Sequence, residues 1–134
     1  INLIGAMNCS RKVLPCMVNR KNGCIVNISS MWGQCGASCE VDYSASKAGM
    51  IGFTKALAKE VGPSGITVNC VAPGLIDTPM NGNLDSDTIN ALCEETPVMR
   101  IGTPEDVAKA IFYLAGEGSS FITGQVLGVD GGFI

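Results

Sequence analysis

Three short runs of β-branched and small apolar residues decide most of what this chain can fold into. They are "CIVNISS" (24–30), "ITVNCVA" (66–72) and "QVLGVDGG" (125–132), and helix-type segments separate them. The first run does not alternate cleanly between apolar and polar residues, which is typical of a strand buried on both faces of a parallel sheet. Strands that alternate with helices are joined by right-handed crossovers. The order of segments therefore predicts an α/β fold with a doubly wound parallel sheet.

Helix signals lie on both sides of the first strand. Apolar spacing predicts a helix up to about residue 19, with a bend at Pro15, and Gly23 is expected to end it in the left-handed conformation. A long helix is predicted over 41–61, and "GPSG" breaks it. The segment before that helix, "MWGQCGASCE", is predicted to be a loop.

The second half of the chain has one well-marked helix. Residues 75–100 are polar and mixed, which predicts a loop with a short helix around 87–95. The segment "TPEDVAKAIFYLAG" predicts a further helix, because Thr103 can cap it and Pro104 suits its first position.

Length, charge and cysteine content argue against several classes of protein. The 134 residues fit one domain, and a net charge of −3 without a basic run argues against nucleic acid as a partner. No apolar run reaches the ~18 residues that a membrane helix needs, and no secretory signal is expected. Seven cysteines without a C-x-x-C pair are expected to be reduced thiols in the cytoplasm. Because histidine is absent, no Cys/His metal site is expected and acid–base chemistry must use other side chains.

The segment "VDYSASKAG" places Tyr43 and Lys47 four residues apart on the long helix, among small neighbours. Residues at this spacing share one helix face. Alone, such a pair is more often a solvated helix surface than a site. However, Ser30 ends the first strand thirteen residues before Tyr43, and "APGLIDT" (72–78) ends the second. Ligands of such sheets bind beyond the carboxyl ends of the strands, so these residues are expected to converge there.

Four segments taken in order, "NISS", "YSASK", "PGLIDT" and "ITGQVLGVDGG", resemble the short-chain dehydrogenase/reductase family. The resemblance runs from Asn2 to Gly132. It implies a Rossmann-like fold in which Tyr43 protonates the substrate oxygen and Ser30, with Ser29 as the less favoured substitute, hydrogen-bonds the carbonyl. Lys47 would bind the nicotinamide ribose and make the Tyr43 hydroxyl a stronger acid. Asn2 matches the asparagine that helps to hold a proton-relay water.

The same resemblance implies a cofactor, NADP or NAD. Besides Tyr43 and Lys47, the residues that would contact its nicotinamide are Pro73, Gly74, Ile76 and Thr78. The family's phosphate loop, T-G-x-x-x-G-x-G, is not found in residues 1–134. The chain is therefore expected to be the catalytic and nicotinamide-side portion of a single Rossmann-like domain, its C-terminal half, with the N-terminal dinucleotide phosphate-binding half absent. Expressed alone, it is expected to associate, bind dinucleotide poorly and reduce little.

Three functions stay open from the sequence. The overall pattern resembles reductases of 3-oxoacyl groups on acyl carrier protein, whose substrate is a small-molecule or carrier-bound ketone. The segment "WGQCGASCEVDYS" more specifically resembles a subgroup that reduces a 5-aminopentanone modification on elongation factor P. The third alternative is a catalytically incompetent fragment or a non-catalytic binding protein. Gly49, Gly52 and Ala56 resemble the family's subunit interface, which implies a homotetramer or homodimer of the full-length parent.

Overall fold

A computed structural model describes residues 2–82 and 84–134. The helices are α1 (Asn2–Arg20), α2 (Trp32–Cys35), α3 (Val41–Val61), α4 (Ser86–Glu95) and α5 (Pro104–Ala115). The strands are β1 (Gly23–Ile28), β2 (Ile66–Pro73) and β3 (Val126–Val129). Three single 3₁₀ turns stand at Gly62–Ser64, Pro79–Asn81 and Glu117–Ser119.

The three strands form one parallel sheet in the order β1-β2-β3. Register pairs Ile28 with Val71 at the end of β1 and Cys70 with Val126 at the start of β3. In the described part of the chain β2 is therefore the central strand, and β1 lies at an edge. The predicted parallel α/β architecture is confirmed.

The core lies between the sheet and α3. Ile66 and Val68 of β2 are almost fully buried and pack against Leu57 and Val61 of α3. Side chains from α1, such as that of Leu14, pack against this cluster and extend it. On the other face of the sheet, the thiol of Cys24 donates to a carbonyl of α5. Helices thus cover both faces of β2, which explains why its sequence is apolar at nearly every position.

The end of α1 differs from the prediction. Lys21, not Gly23, has the left-handed conformation, with φ of 52°. The N–H of Lys21 donates to Val18 O at 3.1 Å and that of Asn22 to Met17 O at 3.2 Å, which is the Schellman arrangement of a helix end. Gly23 instead begins β1, two residues later. The chain leaves the helix at the first point where these two N–H groups can hydrogen-bond to the last carbonyls of α1.

The segment 31–40 also differs from the prediction, because it is not a loop throughout. Its first part forms α2, which Gly36 ends at a φ of 76°. Gly33 lets α2 lie against α3: a Cβ there would come within 2.8 Å of the backbone of Lys47. The third strand is shorter than predicted: β3 ends at Val129, three residues before the end of the predicted run, because Gly131 and Gly132 take positive φ and turn the chain. The other predicted helices and strands are found within a residue or two of their expected limits, and Thr103 caps α5 with a full capping box.

All seven cysteines are unpaired. No helix within residues 2–82 and 84–134 is both long and apolar enough to span a membrane.

Candidate active site

The carboxyl ends of β1 and β2 meet at one edge of the sheet. Parallel hydrogen bonding continues beyond the end of β1: Ser29 N–H donates to Val71 O at 2.8 Å and Met31 N–H to Pro73 O at 2.9 Å. These bonds fix Ser29 and Ser30 beside the first residues that follow β2.

A pocket of about 430 Å³ opens at this edge, and we call it the inner pocket. It lies between the ends of β1 and β2, the start of α3 and one face of α5. The residues that line it include Ile28, Ser29, Ser30, Tyr43, Lys47, Pro73, Gly74, Ile76, Thr78, Met80, Asn81, Val107 and Ile111. Seven of the eight predicted site residues thus lie on one cavity, although their assigned roles stay predictions.

Ser29 and Ser30 are both buried but differ in what their hydroxyls do. Ser29 Oγ donates to the carbonyl of Lys47 at 2.8 Å, so its proton is committed to a structural bond. Ser30 Oγ accepts a hydrogen bond from Trp32 N–H at 3.2 Å. That bond leaves the hydroxyl hydrogen of Ser30 available for a ligand. Ser30 is therefore better placed than Ser29 to donate to a ligand, and its role toward a substrate stays a prediction.

Tyr43 and Lys47 face the inner pocket from successive turns of α3. Lys47 Nζ lies 5.6 Å from the centroid of the Tyr43 ring and donates to Ile28 O at 3.0 Å. The second contact ties the ammonium to the end of β1. Because an ammonium has three donors, two remain for other partners.

Burial lowers the pKa of Lys47, and the negative charge that Cys70 carries only when it is deprotonated opposes that shift to a smaller degree. Burial also raises the pKa of Cys70, which is fully enclosed. A high thiol pKa keeps Cys70 protonated at neutral pH, so it does not neutralise Lys47. The ammonium is left as the positive charge nearest to Tyr43 among the groups that line the inner pocket.

Asn2 is the predicted site residue that lies outside the inner pocket. It is exposed, and its Nδ2 donates to Ser46 Oγ at 3.4 Å. Ser46 in turn donates to Tyr43 O at 2.8 Å. Asn2 therefore contacts the helix that carries Tyr43 and Lys47, one residue away from Lys47. Its role in a proton relay stays a prediction.

A second cavity, which we call the outer pocket, has a volume of about 370 Å³. Ser30 and Tyr43 line it as well as the inner pocket, so the two cavities meet at the candidate catalytic groups. The other residues that line it are Met31, Trp32, Glu40, Gly74, Leu75, Met80 and Asn81. The sequence associated the segment 32–44 with the choice of substrate, but it did not single out Trp32 or Glu40 and did not assign Met80. The signal available was their position: each stands within three residues of a residue that was assigned.

The inner pocket suits a nicotinamide riboside by its chemistry. Ile76, Val107 and Ile111 give it apolar walls for a flat ring. Lys47 has donors to spare for sugar hydroxyls, and the Thr78 hydroxyl is a further polar group. Cofactor sites usually have broad apolar walls and only a few charged groups. Within the described residues, no cluster of three or more acidic or cysteine side chains could hold a metal ion.

Known proteins resemble this chain in sequence and in fold. A family model described as "Enoyl-(Acyl carrier protein) reductase" matches residues 1–134. Among curated relatives, a 3-oxoacyl-[acyl-carrier-protein] reductase of Chlamydia trachomatis is 51% identical over 92% of the chain and 50% of its own length. The enzyme of that name from Thermotoga maritima is 46% identical over 100% of the chain and 54% of its own length.

A solved structure is similar over almost the whole chain. The crystal structure of a 3-oxoacyl-[acyl-carrier protein] reductase from Brucella melitensis matches with a TM-score of 0.93 and 41% identity, over 99% of this chain and 50% of that one. The chain therefore spans about half the length of the relatives it matches.

Proposed function

Because the chain belongs to the short-chain dehydrogenase/reductase family, we propose that the protein reduces a ketone to a secondary alcohol with a nicotinamide cofactor. The observation that carries the proposal is the shared pocket of Ser30, Tyr43 and Lys47 at the carboxyl edge of the sheet. A serine hydroxyl with an uncommitted hydrogen, a phenol and a partly buried ammonium can bind a carbonyl oxygen and supply it with a proton without a histidine.

The chemistry follows from what each group can donate. Ser30 donates a hydrogen bond to the carbonyl oxygen and holds it near Tyr43. The Tyr43 hydroxyl gives its proton to that oxygen as negative charge develops there, which is general acid catalysis. The hydride for the carbonyl carbon is the contribution of the reduced nicotinamide. Lys47 binds ribose hydroxyls, and its charge favours the tyrosinate that remains after proton transfer.

NADP or NAD would lie in the inner pocket, with Pro73, Gly74, Ile76 and Thr78 against the nicotinamide. These four residues line the cavity together with Tyr43 and Lys47, which supports the assignment.

Titration of full-length protein with NADPH and with NADH, followed by nicotinamide fluorescence, tests cofactor binding. A steady-state assay with an acetoacetyl thioester then tests reduction. We expect a saturable fluorescence change with one of the two dinucleotides and oxidation of that dinucleotide when the thioester is added. A protein that shows no fluorescence change would instead fit a binding protein that has kept the fold without the reaction.

The preferred substrate is a 3-oxoacyl group on a carrier. Three features support it: the names of the curated relatives, the identities of 46–51%, and an outer pocket with apolar side chains next to Ser30 and Tyr43. Met31, Leu75 and Met80 give that cavity room and surface for an acyl chain. This substrate class would place the protein in fatty acid biosynthesis.

A second candidate substrate is the 5-aminopentanone group on elongation factor P. Glu40 favours it, because this carboxylate is the one charged side chain among the described residues lining the outer pocket. It accepts no capping hydrogen bond that would occupy it at the start of α3. A carboxylate and an aromatic ring that line one cavity would both attract an ammonium group, whereas an oxoacyl thioester carries no positive charge there.

Two ketones of equal length separate the candidates. Wild-type protein is assayed with an amino ketone and with its methyl-terminated analogue, and so is the Glu40→Gln variant. If the substrate is the aminopentanone group, wild-type protein should prefer the amino ketone, and Glu40→Gln should reduce that preference by about three- to tenfold. If the substrate is an oxoacyl group, neither wild type nor Glu40→Gln should show a preference. Asp42→Asn removes a nearby charge outside both pockets and is the matched control.

The protein is proposed to act in the cytoplasm as a homodimer or homotetramer. Unpaired cysteines fit a reducing compartment. On α3, Gly49 faces α1, since a Cβ there would meet Leu3 at 2.7 Å. Gly52 and Ala56 are exposed instead, so this face of α3 carries small side chains on which a helix of another subunit could pack closely.

A further inference from the structure

The segment after β3 turns back toward the loop that follows β1. Asp130 organises the turn: its Oδ1 accepts from Gly132 N–H at 2.9 Å and its carbonyl accepts from Phe133 N–H at 3.3 Å. Gly131 and Gly132 have φ of 67° and 84°, a conformation that side chains other than glycine rarely adopt. The direction of the chain after β3 is therefore set by local structure.

This turn is also held from outside. Val98 N–H donates to Gly131 O at 3.3 Å, and a Cβ on Gly131 would come within 2.7 Å of Thr96 and Val98 side chains. A Cβ on Gly132 would lie 3.2 Å from Pro97. The segment between α4 and α5 thus packs closely on the turn and limits where Phe133 can go.

Phe133 meets Trp32 in an edge-to-face contact. The ring centroids are 6.2 Å apart and the ring planes stand at 82°. This is the favoured geometry for two aromatic rings. Trp32 stands on α2 and lines the outer pocket beside Ser30 and Tyr43. The backbone N–H of Trp32 donates to Ser30 Oγ.

Trp32 is therefore joined to the site at its backbone and to the post-β3 segment at its ring. We propose that Phe133 is a positioning residue: it holds the Trp32 ring as one wall of the outer pocket and so determines which substrates fit beyond the ketone. The part of the proposal that concerns substrates rests on the ketone reductase function above. The part that concerns the position of Trp32 does not.

The test uses full-length protein with Phe133→Leu, Phe133→Tyr and Ile134→Ala. Leucine keeps an apolar side chain but removes the ring edge, tyrosine keeps the ring, and Ile134 is an exposed neighbour that serves as the control. Acrylamide quenching of tryptophan fluorescence reports the exposure of Trp32, with Trp32→Phe used to assign its signal. Thermal melting identifies any variant that has lost its fold.

Kinetics of an acetoacetyl thioester and of acetone measure the pocket. Phe133→Leu should increase quenching and raise KM for the thioester about three- to tenfold, with kcat within about twofold and acetone kinetics little changed. Phe133→Tyr should restore wild-type values, and Ile134→Ala should match wild type. Unchanged quenching in folded Phe133→Leu would overturn the positioning role. Increased quenching with unchanged thioester KM would overturn the role in specificity.

Failure of the ketone reductase function gives a different result. Neither ketone would then be reduced by wild-type protein, and the proposal about substrates would fall with that function. The quenching comparison would still decide whether Phe133 positions Trp32.

Discussion

Ser29 Oγ donates to the carbonyl oxygen of Lys47 at 2.8 Å, and this bond joins the end of β1 to the turn of α3 that holds the candidate catalytic pair. Ser29 is only 2% exposed, so the bond is shielded from water. It is matched by a second bond between the same two elements, from Lys47 Nζ to Ile28 O. The two adjacent serines after β1 thus differ: Ser29 fixes α3, and Ser30 lines both pockets with a hydroxyl hydrogen that has no structural partner.

Alanine substitution of the two serines should separate these purposes. Ser29→Ala removes a buried hydrogen bond and should lower the free energy of unfolding by about 1 kcal/mol, with a modest loss of activity. Ser30→Ala also removes an acceptor, that of Trp32 N–H, and should cost a similar amount of stability, but it should lower kcat at least about tenfold because the donor toward the carbonyl is lost. Denaturant unfolding and steady-state kinetics measure both. Equal losses of activity in the two variants would contradict the distinction.

Tyr43→Phe should abolish most of the activity. In the proposed reaction the phenol delivers the proton and phenylalanine keeps only the ring, so we expect kcat to fall about 100-fold or more. The dissociation constant of the cofactor, measured by nicotinamide fluorescence, should stay within about twofold. Tyr113 is the other tyrosine of the chain and is exposed on α5, which makes Tyr113→Phe the matched control. Near-full turnover in Tyr43→Phe would mean that another group donates the proton.

Sequence patterns predicted the sheet and the inner pocket well for a physical reason. In a parallel sheet, the ends of neighbouring strands must meet, so residues that follow β1 and β2 come together whatever the loops do. The spacing of Tyr43 and Lys47 then needs only a helix to place both on one face. Neither rule depends on how the connecting loops fold.

Other features depend on contacts that no local pattern encodes. The left-handed residue of the α1 end is Lys21, a residue with no special preference for it, because hydrogen bonds to Val18 and Met17 decide the conformation. The contact between Trp32 and Phe133 joins residues about a hundred positions apart, and it depends on a turn after β3. The helix α2 was missed because its four residues carry no helix pattern.

Lys47 should make turnover depend on pH at the alkaline side. Burial lowers the pKa of Lys47 below its ordinary value of 10.5. As pH rises from neutral, the ammonium charge proposed to assist Tyr43 is therefore lost before pH 10.5 is reached. We expect kcat to fall as pH rises from neutral toward 10.5. Lys47→Ala should harm cofactor binding and turnover together, whereas Lys55→Ala, two turns further along α3, should harm neither. A profile that is flat up to pH 10.5 would rule out this dependence on Lys47.

Asp106 should make the stability of the fold depend on pH at the acid side. Its carboxylate contacts the Arg100 guanidinium at 2.7 Å and accepts from Thr103 N–H at 2.8 Å within the capping box of α5. The Arg100 side chain is the main cause, and the Thr103 hydrogen bonds the second, of a pKa well below the usual range for a carboxyl group. A folded-state pKa below that of the unfolded chain means that the stabilisation is present above about pH 4 and is lost as pH falls further.

The denaturant midpoint of Asp106→Asn should therefore lie below that of wild type at pH 7, and the difference should shrink between about pH 4 and pH 2. Asp87→Asn alters an exposed acidic residue in the first turn of α4 and should show little difference at either pH. A deficit in Asp106→Asn that stayed constant from pH 7 to pH 2 would show that the amide has lost packing or capping rather than a charge-dependent interaction.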